Sequence, residues 1–279
     1  MQTRLQPIPP MSSLINPLLH IAPPTTVIGS TVTVLPVVDS TQNVVRAAAQ
    51  QGAAEGLVVV AGQQTAGKGR LGRDWWSPDD GGLYVSMLLR PRIAPDRLGW
   101  ITMAVALGAA EAVETVCGVR PELKWPNDLA WRGRKLAGVL AEATFTDGQI
   151  NYVIAGIGLN IQTDFSQRPD LAQRAVSLQE ITGQPIPVKP LLEMMLVRIE
   201  THYLALQAGI SPQPRWAERL VTLGQPVTVT TMTGETLTGI AERAEDDGRL
   251  VLRLPDGDTR TVSAGDVTLA TPLHAEAAP

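Results

Sequence analysis

Proline and glycine-containing turns divide this chain of 279 residues into three parts. The first part holds a cluster of prolines at positions 7, 9, 10, 17, 23 and 24. Because proline fixes φ and has no backbone N–H, it interrupts helices and sheet pairing alike. We therefore expect residues 1–30 to form a poorly ordered extension. The same interruptions make it a poor signal peptide.

The central part, residues 31–222, mixes strand-like and helix-like patterns. Apolar runs at Leu57–Ala61, Leu83–Leu89 and Ile150–Ile154 predict strands. Asp96–Cys117 and Val188–Gln207 carry apolar residues three and four positions apart, which predicts long helices. Ser40 or Thr41 can cap a shorter helix that runs to Gly52. We predict an α+β domain with a mixed sheet and flanking helices.

The third part begins near Gln225, where threonine and valine become frequent in short runs. The pairs Thr233-Gly234, Asp247-Gly248 and Asp256-Gly257 separate these runs and predict tight turns between strands. We expect residues 223–272 to form a small β-barrel of about 45 residues. Residues 273–279 would then be a tail.

Composition narrows the class of protein. With 44% apolar and 18% charged residues, the chain can bury a sizeable core. A single cysteine, Cys117, excludes an intrachain disulfide and a multi-cysteine metal site. No uninterrupted apolar run reaches the roughly 18 residues that a membrane helix needs. We therefore expect a cytoplasmic protein that does not span a membrane, in which the net charge of -4 gives no sign of general polyanion binding.

One basic loop stands out against this acidic background. Gly67–Pro78 reads GKGRLGRDWWSP, with three cations and three glycines followed by two tryptophans. Glycine lets backbone amides approach an anion, and an indole face can hold a planar base, so the loop predicts a nucleotide phosphate grip. Its first six residues, Gly67–Gly72, satisfy the dinucleotide fingerprint G-x-G-x-x-G, and the overlapping segment Gly62–Lys68 fits the G-x-x-x-x-G-K part of a P-loop. Both interpretations are disfavoured because no helix pattern follows, and Gly69 stands where a P-loop needs a hydroxyl.

Five ordered motifs resemble the catalytic domain of biotin protein ligases, and together they cover residues 39–160. The resemblance implies a mixed sheet of the class II synthetase-like, biotin/lipoate ligase type, followed by an SH3-like barrel. The motifs are Asp39-Ser40-Thr41, Gln64-x-Ala66-Gly67-Lys68-Gly69-Arg70-x-Gly72-Arg73-x-Trp75, Lys124-Trp125-Pro126-Asn127-Asp128, Arg134-Lys135-Leu136-Ala137-Gly138 and Gly156-Ile157-Gly158-Leu159-Asn160.

The resemblance implies ATP and biotin as substrates, Mg²⁺ as a companion of ATP, and a biotin carboxyl carrier domain as partner. Biotin's carboxylate must attack the α-phosphorus of ATP, so cations are needed between two anions. Arg70 and Lys135 are the candidate catalytic residues, and Asp128 is the candidate magnesium ligand. The implied biotin contacts are Ser40, Thr41, Gln64, Lys68, Gly69, Arg70, Lys135 and Gly138. The implied contacts of ATP or the adenylate are Arg73, Trp75, Lys124, Asn127 and Asn160.

Two positions depart from the family pattern. Lys68 replaces the usual arginine, which keeps the charge but loses bidentate geometry. Gln42 replaces the usual asparagine after Ser-Thr, so no ligand contact is assigned to it. The chain shows no pattern for the N-terminal winged helix of many members, so we expect no DNA binding. A homodimer is left open.

Two other functions remain alternatives at this point. A lipoate or octanoate ligase would attach a different acid to its carrier. A biotin-sensing regulator would hold the ligand without turnover.

Overall fold

The structure, a computed structural model, describes residues 14–269 and contains two β-sheets. The strands of the larger sheet are β1 (Thr31–Val38), β2 (Leu57–Gln64), β3 (Gly82–Leu89), β4 (Glu122–Lys124), β5 (Asp128–Trp131), β6 (Arg134–Thr146) and β7 (Gln149–Asn160). The helices within the described residues are α1 (Thr41–Gln50), α2 (Gly99–Cys117), α3 (Pro169–Ala172), α4 (Leu178–Thr182), α5 (Val188–Gln207) and α6 (Gln213–Ala217).

The larger sheet has the strand order β1-β2-β3-β7-β6-β5-β4. β1 and β2 are parallel and are connected through α1, whereas the other neighbouring pairs are antiparallel. The predicted mixed sheet is therefore confirmed. The hairpin of β6 and β7 forms the longest ladder, and the predicted strand at Ile150–Ile154 is only the first half of β7.

The helices cover opposite faces of this sheet. Val58 and Val60 of β2 belong to the main core with α2 and α5, whereas Val59 packs in a smaller cluster with Val45 and Ala49 of α1. Since successive strand residues point to opposite faces, α1 lies on the face away from α2 and α5.

The smaller sheet is C-terminal and antiparallel, with the order β11-β10-β9-β8-β12. Its strands are β8 (Pro226–Thr231), β9 (Thr236–Ala244), β10 (Leu250–Arg253), β11 (Thr259–Val262) and β12 (Gly265–Leu269). The predicted turn glycines at 234, 248 and 257 all have positive φ, between 82° and 91°. The expectation of a small C-terminal β domain is confirmed as far as residue 269, and the predicted tail, residues 273–279, lies outside the described residues.

Two tryptophans join the C-terminal sheet to the rest of the protein. Trp100 Nε1 donates to the carbonyl of Asp246 over 2.9 Å, and Trp125 Nε1 donates to that of Gly248 over 2.8 Å. Both rings are nearly fully buried. The turn between β9 and β10 is therefore fixed against α2 and the segment that follows β4.

The expectation of a poorly ordered extension is wrong for residues 14–30; residues 1–13 lie outside the described residues. The side chains of Leu14, Ile15, Leu18 and Ile28 are buried in the main core. A carboxylate on α5 supplies the polar anchor: Glu200 accepts hydrogen bonds of 2.7 Å from three successive backbone N–H groups, at Thr26, Val27 and Ile28. Pro17 lies in the first turn of a short 3₁₀ helix, Asn16–His20, and the apolar residues of this segment reach the core.

The helical segment Pro95–Cys117 is long and apolar enough to cross a membrane by length and composition alone. However, 67% of its apolar stretch is buried within the protein, where α2 packs along α5. Such burial is typical of a helix at the centre of a core, which is apolar all round.

Replacing Glu200 with glutamine is expected to lower the free energy of unfolding by about 2–3 kcal/mol, because buried N–H donors would face an amide group. Burial raises the pKa of Glu200, but the hydrogen bonds from residues 26–28 outweigh it and lower this pKa overall. The stabilisation is therefore complete above the pKa of an unfolded glutamate and is lost as pH falls through the lowered value. Urea unfolding at neutral and acid pH measures both effects. Glu193→Gln on the same helix is the control, and an equal loss in both variants would contradict the assignment.

Candidate active site

Three glycines leave a patch without side chains on the α1 face of the larger sheet. Gly138 of β6 lies directly opposite Gly158 of β7, and Gly156 is two residues before it. The indole of Trp75 covers the first two: a β-carbon on Gly158 would lie 2.5 Å from the ring, and one on Gly138 would lie 3.0 Å from it. Glycine is thus required here by the close approach of another group. We call these three residues the glycine bed.

A chain of polar side chains borders the glycine bed. Gln64 Oε1 accepts from the backbone N–H and the hydroxyl of Thr41, over 2.9 and 3.1 Å. The Thr41 hydroxyl lies 2.7 Å from Ser86 Oγ, and Gln64 Nε2 donates to Ser77 Oγ over 2.9 Å. The structure therefore brings the predicted residues Thr41 and Gln64 together in one partly buried network.

Two polar atoms next to this network have no partner. Ser40 is at the N-cap position of α1, but its hydroxyl makes no capping bond, and Oγ is fully buried and unpaired. The sequence offered Ser40 or Thr41 as the cap of this helix, and the Ser40 side chain does not take that role. Gln42, two residues on, has an unpaired buried Oε1. Unpaired buried polar atoms are costly, which is typical of a place where a ligand completes the bonding.

The basic loop folds back on itself beside these residues. Trp75 N donates to Gly67 O over 2.8 Å, and Gly69 N donates to Arg73 O over 2.6 Å. Leu71 at the tip has a positive φ of 58°, so the backbone turns there instead of starting an α-helix. This conformation excludes both the dinucleotide fold and the P-loop interpretations of the sequence.

The predicted catalytic cations converge on two adjacent residues. Arg70 Nη1 donates to Asn127 Oδ1 over 3.2 Å, and Lys135 Nζ lies 2.7 Å from Asp128 Oδ1. Asn127 is itself fixed, because its Nδ2 donates to Val139 O over 2.6 Å. Lys135 Nζ also lies 5.2 Å from the centre of the Trp75 ring. Residues from the loop, β5 and β6 therefore meet at one edge of the glycine bed.

This edge carries more positive than negative charge. Burial lowers the pKa of both Arg70 and Lys124, and the nearby carboxylate of Asp128 offsets this only partly. The charge of Lys135 further lowers the pKa of Lys124. Cations that are partly removed from water and face each other favour the arrival of an anion.

The C-terminal sheet reaches the loop through one ion pair. Arg73 Nη2 bonds Asp266 Oδ1 of β12, and both side chains are more than half exposed. Exposed pairs of this kind contribute little to stability. This one instead links the predicted nucleotide loop to the second sheet and holds the Arg73 side chain toward that sheet.

Two predicted contacts are engaged elsewhere. The side chain of Lys68 is directed to α1, where Nζ donates to Asn43 Oδ1 over 2.5 Å, and the residue is exposed. Asn160 is buried, and its Nδ2 donates to the carbonyls of Lys135 and Val176 over 3.3 and 3.1 Å. In this conformation, Lys68 does not join the polar network, and Asn160 braces the backbone of Lys135.

Sequence reasoning left four neighbours of the site unassigned. Ser86 belongs to the polar network, Asp266 pairs with the loop, and Gly156 and Gly158 form most of the glycine bed. The alternating glycines in the middle of an otherwise apolar strand were a usable signal, because glycine inside a strand marks a close approach. Neither Ser86 nor Asp266 had a comparable local signal.

Magnesium binding would depend on a single protein carboxylate. Within residues 14–269, no group of three or more His, Cys, Asp or Glu side chains is placed to hold a metal ion. Mg²⁺ is commonly held by one or two carboxylates together with substrate phosphates and water. Asp128 fits such a shared site, although Lys135 now occupies its Oδ1.

Comparison with known proteins gives matches to both sheets. Residues 34–160 match the biotin/lipoate A/B protein ligase family, and residues 222–269 match the biotin protein ligase C-terminal domain. A biotin--[acetyl-CoA-carboxylase] ligase of Mycobacterium tuberculosis is 34% identical over 220 residues, which cover 76% of this chain and 79% of the relative. The bifunctional ligase/repressor BirA of Bacillus spizizenii is 32% identical over 231 residues, or 82% of this chain and 71% of BirA.

A solved structure agrees over most of the chain. The biotin protein ligase from Aquifex aeolicus in complex with biotin and ATP superposes with a TM-score of 0.73 at 28% identity. The match covers 86% of this chain and 98% of that protein. Since the sequence relatives and the fold agree, the chain belongs to the biotin protein ligase family.

Proposed function

We propose that this protein activates biotin with ATP and attaches it to a lysine of a biotin carboxyl carrier domain. The observation that carries this proposal is the group of partly buried cations, Arg70, Lys124 and Lys135, on the same sheet face as two buried polar atoms without a partner, those of Ser40 and Gln42. The unpaired polar atoms suit a polar ring, and the cations suit a carboxylate and a phosphate. The Aquifex relative that shares this fold is described in complex with these two small molecules.

The reaction has two steps. In the first, an oxygen of biotin's carboxylate bonds to the α-phosphorus of ATP, and the bond to pyrophosphate breaks. In the second, the ε-amine of the carrier lysine attacks the acyl carbon, AMP leaves, and the amine loses a proton. Arg70 and Lys135 would neutralise the charge that the attack brings together, which is the main task of protein groups in such transfers.

The remaining predicted contacts divide between the two substrates. Ser40, Thr41 and Gln64 would bind the urea ring of biotin, with Gly138 and the backbone of Gly69 and Lys68 around it. Arg73, Trp75, Lys124, Asn127 and Asn160 would bind ATP or the adenylate. Magnesium would be held by Asp128 together with the phosphates of ATP, where it would supply further positive charge.

Ligation of lipoate or octanoate is the nearest alternative. The family that matches residues 34–160 includes lipoate ligases and does not separate the two acids. The C-terminal match is described for biotin protein ligases, which favours biotin. A cytoplasmic location, the absence of DNA binding and the oligomeric state remain predictions from the sequence.

The direct test combines purified protein, ATP, Mg²⁺ and a carrier domain with biotin, lipoate or octanoate. Mass spectrometry of the carrier is expected to show the mass increase of one biotinyl group, and only with biotin. Pyrophosphate exchange measured without the carrier tests the first step alone. A carrier modified by lipoate or octanoate in preference to biotin would overturn the choice of acid. Biotin binding with neither exchange nor transfer would favour a regulator.

Arg70→Ala is expected to lower biotin-dependent exchange between ATP and pyrophosphate by about 100- to 1,000-fold, because charge stabilisation in the transition state is lost. The melting temperature is expected to change little, since the side chain of Arg70 is held by a hydrogen bond to Asn127 and by longer-range charges, and its backbone bond to Arg73 is kept in the variant. Arg120→Ala, which removes an exposed arginine, is the matched control. Normal exchange by the Arg70 variant would remove this residue from the chemistry.

The lowered pKa of Lys124 predicts that ATP binding weakens at alkaline pH. Burial lowers the pKa of Lys124, so this side chain loses its charge at a lower pH than an ordinary lysine. We expect the KM for ATP to rise with pH in that range. Lys124→Arg keeps its charge and is expected to remove this rise, while its KM at neutral pH shows the cost of the changed shape. Identical pH profiles for both proteins would contradict a role for this charge.

A further inference from the structure

We propose that Gln42 is a specificity-determining residue that accepts a hydrogen bond from an N–H group on the ring of the bound acid. This inference rests on the proposed function and deepens it. It concerns a residue to which the sequence assigned no contact, because glutamine stands here where the family pattern has asparagine.

The Gln42 side chain lies on the glycine bed. Gln42 is the second residue of α1 and is only 4% exposed. A β-carbon added to Gly156 would lie 2.8 Å from Gln42 Nε2 and 3.1 Å from Ser86 Oγ. The missing side chain at position 156 therefore makes the space that the longer amide fills, directly beside the network of Thr41 and Ser86.

The orientation of this amide is fixed by the sheet. Gln42 Nε2 donates to the carbonyl of Leu140 on β6 over 3.0 Å. A carbonyl oxygen can only accept, so the nitrogen and not the oxygen of the amide must face Leu140. Oε1 is left buried and without a partner. Ser40 Oγ in the same turn is also unpaired, whereas the hydroxyl of Thr41 is fully engaged.

An amide oxygen can only accept hydrogen bonds, which limits what can satisfy it. The two N–H groups of a cyclic urea are suitable donors. A dithiolane ring and an alkyl chain have none, so binding either acid would leave Oε1 buried and unpaired. Sites with such atoms reject analogues that lack the matching group far better than apolar pockets do. Gln42 would therefore help to distinguish biotin from lipoate and octanoate.

The test is a cycle of two proteins and three ligands. Gln42→Met keeps the length of the side chain and removes the amide. It is measured with biotin and with two analogues in which one urea N–H or the other is replaced by CH₂. The dissociation constants come from calorimetry, and the KM for ATP comes from pyrophosphate exchange with biotin. Gln50→Met, at the exposed end of the same helix, is the matched control.

We expect Gln42→Met to bind biotin about tenfold more weakly, which is the usual cost of one hydrogen bond. The KM for ATP should remain unchanged. One of the two analogues should bind the wild type more weakly than biotin does. In Gln42→Met, the ratio between the dissociation constants of that analogue and of biotin should be about tenfold smaller than in the wild type. Coupling to one N–H and not the other is a result that a purely structural role would not produce.

Unchanged biotin affinity in Gln42→Met would overturn the inference, and so would an equal loss for biotin and both analogues. Should that variant fail to fold, Gln42→Asn retains the amide but withdraws it by one methylene, and the same comparison applies to it. Failure of the wild type to support biotin-dependent exchange would instead overturn the proposed function. The two failures are therefore distinguishable.

Discussion

The site depends on a cluster of positively charged side chains that lies at a partly buried edge of the larger sheet. Arg70, Lys124 and Lys135 come from three different segments and meet around Asn127 and Asp128. Burial lowers the pKa of Arg70 and Lys124, and the carboxylate of Asp128 offsets this only partly. An arriving anion relieves both the desolvation and the mutual repulsion. This arrangement supports the proposed reaction between a carboxylate and a phosphate.

The fold supplies two further conditions for such a reaction. The glycine bed lets the indole of Trp75 and the amide of Gln42 lie directly on the sheet. Polar groups on α1 and cations on the loop therefore approach the same part of the sheet. The C-terminal sheet is tied to the body by Trp100 and Trp125 and to the loop by the pair of Arg73 and Asp266. The second sheet is thus positioned to influence how the loop lies over its ligand.

Much of this could be predicted from local patterns. The long helices and the turns at glycines 234, 248 and 257 followed from periodicity and turn chemistry, whereas the contact of Arg70 with Asn127 was seen only in the structure. The extension at residues 14–30 was misread, because proline content signals interrupted secondary structure but says nothing of tertiary burial. Glu200, which anchors this segment, lies more than 170 residues away in the chain. No local pattern could connect the two.

Residue types alone specified the chemistry, since glycines, cations and tryptophans in one short loop suit an anion and a flat ring wherever the loop is placed. Tertiary packing decided which polar atoms remain free. Ser40 was suited to cap a helix, yet its hydroxyl is unpaired, and Gln42 gains a fixed orientation only from the carbonyl of Leu140, almost a hundred residues later. Hydrogen-bond satisfaction is a property of the whole buried neighbourhood, so a sequence can supply donors and acceptors without revealing which of them the fold leaves for a ligand.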